Sequence, residues 1–162
     1  MRTAIVIDDS ASTDWTPNDY NDRSGYTLRA EIAIGEAYLR QDPDASIIGL
    51  NAGLVKDFSD LEPMMSTPQK EFIQAVEDYD RIVLIMDSPL AFNGRTDPNE
   101  LKVIASAQGT KEIQIVLVMD DLMGLGSQLS DQRDHHLNQL RRLLIPHITM
   151  IVDPRAILDF GF

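Results

Sequence analysis

The sequence predicts an α/β domain, a parallel sheet with helices packed on both faces. Two observations predict it. Short apolar runs rich in β-branched residues alternate with longer stretches of helical periodicity along all 162 residues. The clearest of these runs are also continuous rather than alternating polar with apolar, which is the pattern of a strand buried on both sides.

Thr3 to Ile7 (TAIVI) is the first strand and stops at Asp8-Asp9. Ser46 to Leu50 (SIIGL) is a weaker second. Arg81 to Met86 (RIVLIM) and Ile113 to Met119 (IQIVLVM) are the strongest and read as central strands; Ile148 to Val152 (ITMIV) is the fifth. Between the first two, Leu28, Ile32, Gly35 and Leu39 share one face of a helix that ends near Asp42-Pro43. Phe72, Val76 and Tyr79 mark a second helix, entered at Thr67-Pro68 with a cap and a first-turn proline. Leu101, Ile104 and Ala105 mark a third, opened by Asp97-Pro98. Arg133, Leu137, Leu140 and Leu144 trace a fourth, with Arg141 and Arg142 placed to complement its dipole. Pro154 to Leu158 is a short helical piece at the end. The resulting βαβαβαβαβ order predicts one domain over residues 1–162, a three-layer sandwich whose five parallel strands run, by analogy with flavodoxin-like sheets, in the order 2-1-3-4-5.

Composition narrows the function. The chain has no cysteine, which excludes disulfides, thiol nucleophiles and thiolate metal sites. The apolar run at Met1 to Ile7 is too short for a secretory signal, and no stretch approaches a membrane span, so the expected location is cytoplasmic. Twenty-six acidic against 14 basic residues give a net charge of −12. Such a surface repels nucleic acid and anionic membrane, so neither is an expected partner. A phosphate site would have to be built locally, from backbone N–H groups and hydroxyls.

Ligands of open parallel sheets bind beyond the carboxyl ends of the strands. Three loops lie there. Asp8 to Gly25 is long for a strand-to-helix connection and offers Ser10, Ser12, Thr13 and Ser24 before a helix start. Hydroxyls there serve equally as ordinary caps. Asp87 to Lys102 contains Pro89, Asn93 and Gly94, the residues of a structured turn, with Phe92 as an aromatic ring. Asp120 to Gln128 contains Gly124 and Gly126, which permit close backbone approach.

Together these loops resemble the NADPH-dependent FMN reductase family. Ser88-Pro89-Leu90 and Phe92-Asn93-Gly94, followed by Leu101-Lys102, are similar to the family's loop after its third strand. Gly124-Leu125-Gly126, followed by Leu140-Arg141, is similar to its glycine-rich loop and the helix beyond. Asp57 to Leu61 looks like its segment after strand two. The resemblance implies noncovalent FMN, with NAD(P)H as co-substrate and a quinone, azo compound or flavin as acceptor. Ser10, Ser12 and Ser24 would hold the phosphate, with Arg23 folding back to supply positive charge. Pro89, Leu90, Ala91, Phe92, Asn93 and Gly94 would flank the isoalloxazine ring on one side; Asp121, Gly124, Leu125 and Gly126 would approach from the other. A homodimer or homotetramer is also implied. The departures are Asp9 where the family has glycine, Ser12 where it has arginine, and Asp120-Asp121 in place of smaller residues. They define the alternative, a domain of this type that no longer binds FMN and acts as a non-catalytic binding or assembly protein.

Other constellations read as structural. Asp131 and His135 have helical i, i+4 spacing but belong to a polar helix face, and the adjacent His135 and His136 point apart. Asp14, Asp19 and Asp22 lack the glycine and closing glutamate of a calcium loop. Neither Ser88 nor Ser127 sits in a nucleophile elbow. Trp15 and Tyr20, in the first loop, fit a ligand lid or a dimer contact equally.

Overall fold

The computed structural model describes residues 2–9, 26–63, 78–86, 112–118 and 148–162. Within them, strand β1 (Thr3–Ile7) leads to helix α1 (Tyr26–Gln41), then β2 (Ser46–Gly49) and β3 (Gly53–Val55). A single 3-10 turn spans Phe58–Asp60. Strands β4 (Arg81–Met86), β5 (Glu112–Val118) and β6 (Ile148–Val152) follow, and helix α2 (Pro154–Phe160) closes the described part.

The sheet has six strands in the order β3-β2-β1-β4-β5-β6. Every pairing is parallel except β2 with β3, which is antiparallel with Gly49 opposite Gly53. The fold is therefore α/β, as expected. The purely parallel five-stranded sheet in the order 2-1-3-4-5 is corrected to a mixed sheet of six. The cause is local. After β2 the chain reverses through Leu50, Asn51 and Ala52, and Gly53 completes the reversal at φ 75°, a left-handed conformation that favours glycine. Three residues, Gly53, Leu54 and Val55, then pair back on β2 as an edge strand.

The sheet is buried on both sides. Ile5, Ile7, Val83, Ile85, Val116 and Val118 point to one face and join Leu28, Ile34 and Tyr38 of α1 and Ile157 of α2 in a single core cluster. Val6, Ile82, Leu84, Ile115 and Leu117 point the other way and are buried as completely. This two-sided burial is why the strands read as unbroken apolar runs. Helix α1 packs close against the sheet at Gly35, where an added Cβ would lie 2.8 Å from Cε1 of Phe58 and 3.1 Å from Cδ1 of Ile7. Asp57 caps the 3-10 turn: its carboxylate accepts from Ser59 N–H at 3.1 Å, while the Asp60 carboxylate accepts from Asp57 N–H at 3.2 Å. That reciprocal cap turns Phe58 and Leu61 into the core. Helix α2 is opened by Asp153, whose carboxylate accepts from Arg155 N–H at 2.9 Å, and by Pro154 in the first turn.

Candidate functional site

The carboxyl ends of β1, β2 and β4 form the edge where ligands of such sheets bind. The described part of this edge is acidic. Asp8 follows β1 directly and stays within the ladder, its N–H donating to the Ile85 carbonyl of β4 at 2.9 Å. Leu50 N–H donates to the Ile7 carbonyl at 3.0 Å, tying β2 in from the other side. Held between two neighbours, the chain at Asp8 and Asp9 is drawn into the protein, and both residues are buried.

Asp9 has a defined task. Its Oδ1 accepts from the backbone N–H of Asn51 at 2.8 Å and from the Asn51 side-chain amide at 3.0 Å. Its Oδ2 accepts from Ala52 N–H at 3.0 Å. The carboxylate thus braces the β2–β3 reversal from a distant part of the chain. Gly49 makes room for it, since a Cβ there would fall 2.7 Å from Asp9 Oδ2 and 2.8 Å from Cδ2 of Leu61. Burial raises the Asp9 pKa above the ordinary carboxylate value, and the bonds from Asn51 and Ala52 pull it back only in part.

This geometry bears on the expected flavin site. Asp9, which stands where the likened family has glycine, is a buried carboxylate already committed to two backbone amides. A phosphate dianion beside it would meet like charge in a poorly hydrated setting. The other residues expected to hold the cofactor lie outside the described residues: Ser10, Ser12, Arg23 and Ser24 of the first loop, Pro89, Leu90, Ala91, Phe92, Asn93 and Gly94 of the second, and Asp121, Gly124, Leu125 and Gly126 of the third. The second, third and fourth expected helices lie there as well, apart from Tyr79, which is buried beneath the Arg2 guanidinium at 4.9 Å. Asp57 to Leu61, likened to the reductase segment after strand two, forms the capped turn described above and has a packing role.

Asp8 and Asp9 are the site residues that sequence reasoning missed. A signal was present: two consecutive carboxylates at the end of a fully apolar strand stand where burial is expected and solvation is not. Among the described residues no group of three or more His, Asp or Glu side chains is arranged to hold a metal ion, and no helix is long and apolar enough to cross a membrane.

No model of a known protein family matches this sequence. No curated protein matches it either. Among solved structures, a von Willebrand factor type A structure from Catenulispora acidiphila superposes with a TM-score of 0.53 at 13% identity, over 97% of this chain. The chain spans 40% of that structure's length. At this identity the likeness speaks to fold alone, and it agrees with the α/β sheet described above.

Proposed function

We propose that this chain is a non-catalytic binding domain that takes its ligand at the carboxyl ends of β1 and β4, through a hard divalent cation held with the help of Asp8. The observation that carries this reading is the buried acidic pair at the end of β1. Asp9 braces the β2–β3 reversal, and Asp8 stands beside β4, tied to it through its N–H on the Ile85 carbonyl. In the chain, Ser10 and Ser12 follow Asp8 with hydroxyls at alternate positions, and Asp120-Asp121 follow β5, the next strand across the sheet. These donors are all oxygens, and the chain has no cysteine. Carboxylate and hydroxyl oxygens suit Mg²⁺, Mn²⁺ or Ca²⁺ over softer ions. A cation there would neutralise part of a strongly acidic edge and receive a carboxylate from a partner protein.

The competing reading is an FMN-dependent NAD(P)H oxidoreductase, and it rests on the sequences of Ser88–Gly94 and Gly124–Gly126. The buried carboxylates at the end of β1 speak against a phosphate dianion at that point.

One pair of titrations separates the two. Mn²⁺ binding, followed by water-proton relaxation, is expected to saturate at one ion per chain and to be lost in Asp8→Asn, while added FMN keeps its free fluorescence. Stoichiometric quenching of FMN without Mn²⁺ binding would overturn the binding-domain reading in favour of the reductase.

A further inference from the structure

The opposite edge of the sheet holds a second constellation, independent of the first. A cavity of about 330 Å³ opens where the carboxyl-terminal end of α1 faces β4, β5 and β6. Tyr38 and Gln41 of α1, Arg81 of β4, Gln114 of β5, Met150 of β6 and Phe162 line it. Arg81 opens β4 and pairs with Thr3, which opens β1. Arg81 therefore lies a full strand length from Asp8 and Asp9. The cavity's volume is within the range of small-molecule sites, which begins at about 300 Å³.

Its walls combine two aromatic rings and a thioether with polar side chains. The Tyr38 and Phe162 rings lie with centroids 6.1 Å apart and planes tilted by 35°, and Met150 adds a thioether side chain. Arg81 Nε is shut off from water and has no hydrogen-bond partner among the described residues. Its ion-pair partner, Glu112 Oε1, stands at 3.8 Å on a side chain 51% exposed, beyond hydrogen-bond reach. A buried guanidinium donor with its hydrogen bond unmade is costly, and such groups in native proteins call for an explanation. Burial also raises the Tyr38 pKa, against the lowering effect of Arg81, so its hydroxyl remains a donor well into alkaline pH. Gln41 and Gln114 contribute amides.

We propose that this cavity binds a small aromatic carboxylate, with its carboxylate on the Arg81 guanidinium and its ring against Phe162 and Met150. The planar fork of arginine matches a carboxylate in two parallel hydrogen bonds, and the Arg81 side chain, 25% exposed, can offer its terminal nitrogens to one. Phe162, 46% exposed in the free protein, gains a ring to pack on. Glu112 is the competitor: it holds the same cation loosely and repels the incoming anion.

The test uses benzoate as the probe, titrated into the full chain and followed by amide shifts of Tyr38 and Gln114 and by calorimetry. Saturable one-to-one binding is expected, weakened roughly tenfold by Arg81→Met as a charged bidentate contact is lost. Glu112→Gln is expected to tighten binding about threefold, because the competing charge is gone. Phe162→Ala is expected to weaken it about fivefold, through loss of the aromatic contact. Circular dichroism reports whether Arg81→Met is folded; if it is not, the opposite responses of Glu112→Gln and Phe162→Ala decide the matter. Failure to saturate by about 10 mM benzoate, equal binding of acetate, or weaker binding in Glu112→Gln would each overturn the proposal.

Discussion

Replacing Asp9 by alanine tests the bracing of the β2–β3 reversal directly. The carboxylate accepts three hydrogen bonds, from Asn51 N–H, the Asn51 side-chain amide and Ala52 N–H, at 2.8, 3.0 and 3.0 Å. A bond to a charged group contributes about 1.5–3 kcal/mol, but removing the carboxylate also removes its own desolvation penalty. The two backbone donors are only partly buried, so water reaches them in the variant. The balance places the loss at about 3 kcal/mol, which for a domain of this size lowers Tm by roughly 6–12 °C. Urea unfolding followed by far-ultraviolet circular dichroism gives the first quantity. Native-state hydrogen exchange gives the location: the amides of Asn51, Ala52 and Gly53–Val55 should exchange faster than those of β4 and β5. Asp9→Asn should fall between. Whichever way its amide is turned, one N–H of the reversal faces an NH₂ group, and about 1–2 kcal/mol is lost. A loss below about 1 kcal/mol in the alanine variant, with unchanged exchange at Asn51 and Ala52, would refute the bracing role.

The remaining predictions concern charge, packing and the proposed cation. Because burial raises the Asp9 pKa from 3.8, the folded protein holds this proton to higher pH than the unfolded chain does. The stability it confers is full below 3.8 and is lost as pH rises through the folded value; subtracting the Asp9→Asn stability curve from that of the parent isolates this downward step, and an upward step would reverse the assignment. Gly35→Ala places a Cβ 2.8 Å from a buried Phe58 ring atom. The gain of about 1 kcal/mol in helix propensity is expected to be outweighed by about 1–3 kcal/mol of overpacking. In a Phe58→Leu background the same change should become neutral or stabilising, which unfolding of the four proteins of that cycle would measure. Glu112→Gln should alter stability by less than about 0.5 kcal/mol in thermal melts, since its ion pair with Arg81 is long and half exposed. Saturating Mg²⁺ at about a hundred times its Kd should stabilise the parent by about 2.7 kcal/mol and leave Asp8→Asn unchanged; equal shifts in both would remove Asp8 from the site.

Much of the architecture was legible because its causes are local. Thr3–Ile7, Arg81–Met86 and Ile148–Val152 announce themselves as apolar runs, since a strand buried on both faces has no reason to alternate. Helix α1 shows its stripe through Leu28, Ile32 and Leu39. Strand β3 escaped notice for the opposite reason. Gly-Leu-Val is too short to carry a period, and its reversal is held by Asp9, 42 residues away from Asn51. The acidic pair was visible as residues, but not as a buried site. Burial of Asp8 and Asp9 depends on β2 and β4 closing on either side of β1, which no window along the chain contains. The loops likened to those of the FMN reductases rest on motif order, and a motif does not report whether the neighbouring carboxylate is already engaged.

The reversal after β2 also decides how this end of the sheet meets its surroundings. A bare β2 would offer its outer row of amides and carbonyls to any extended segment. Here three antiparallel residues occupy that row, and Lys56 follows at once. Short margins carrying a lysine are poor templates for further pairing. A second copy of the chain would find only three residues to pair with along this border.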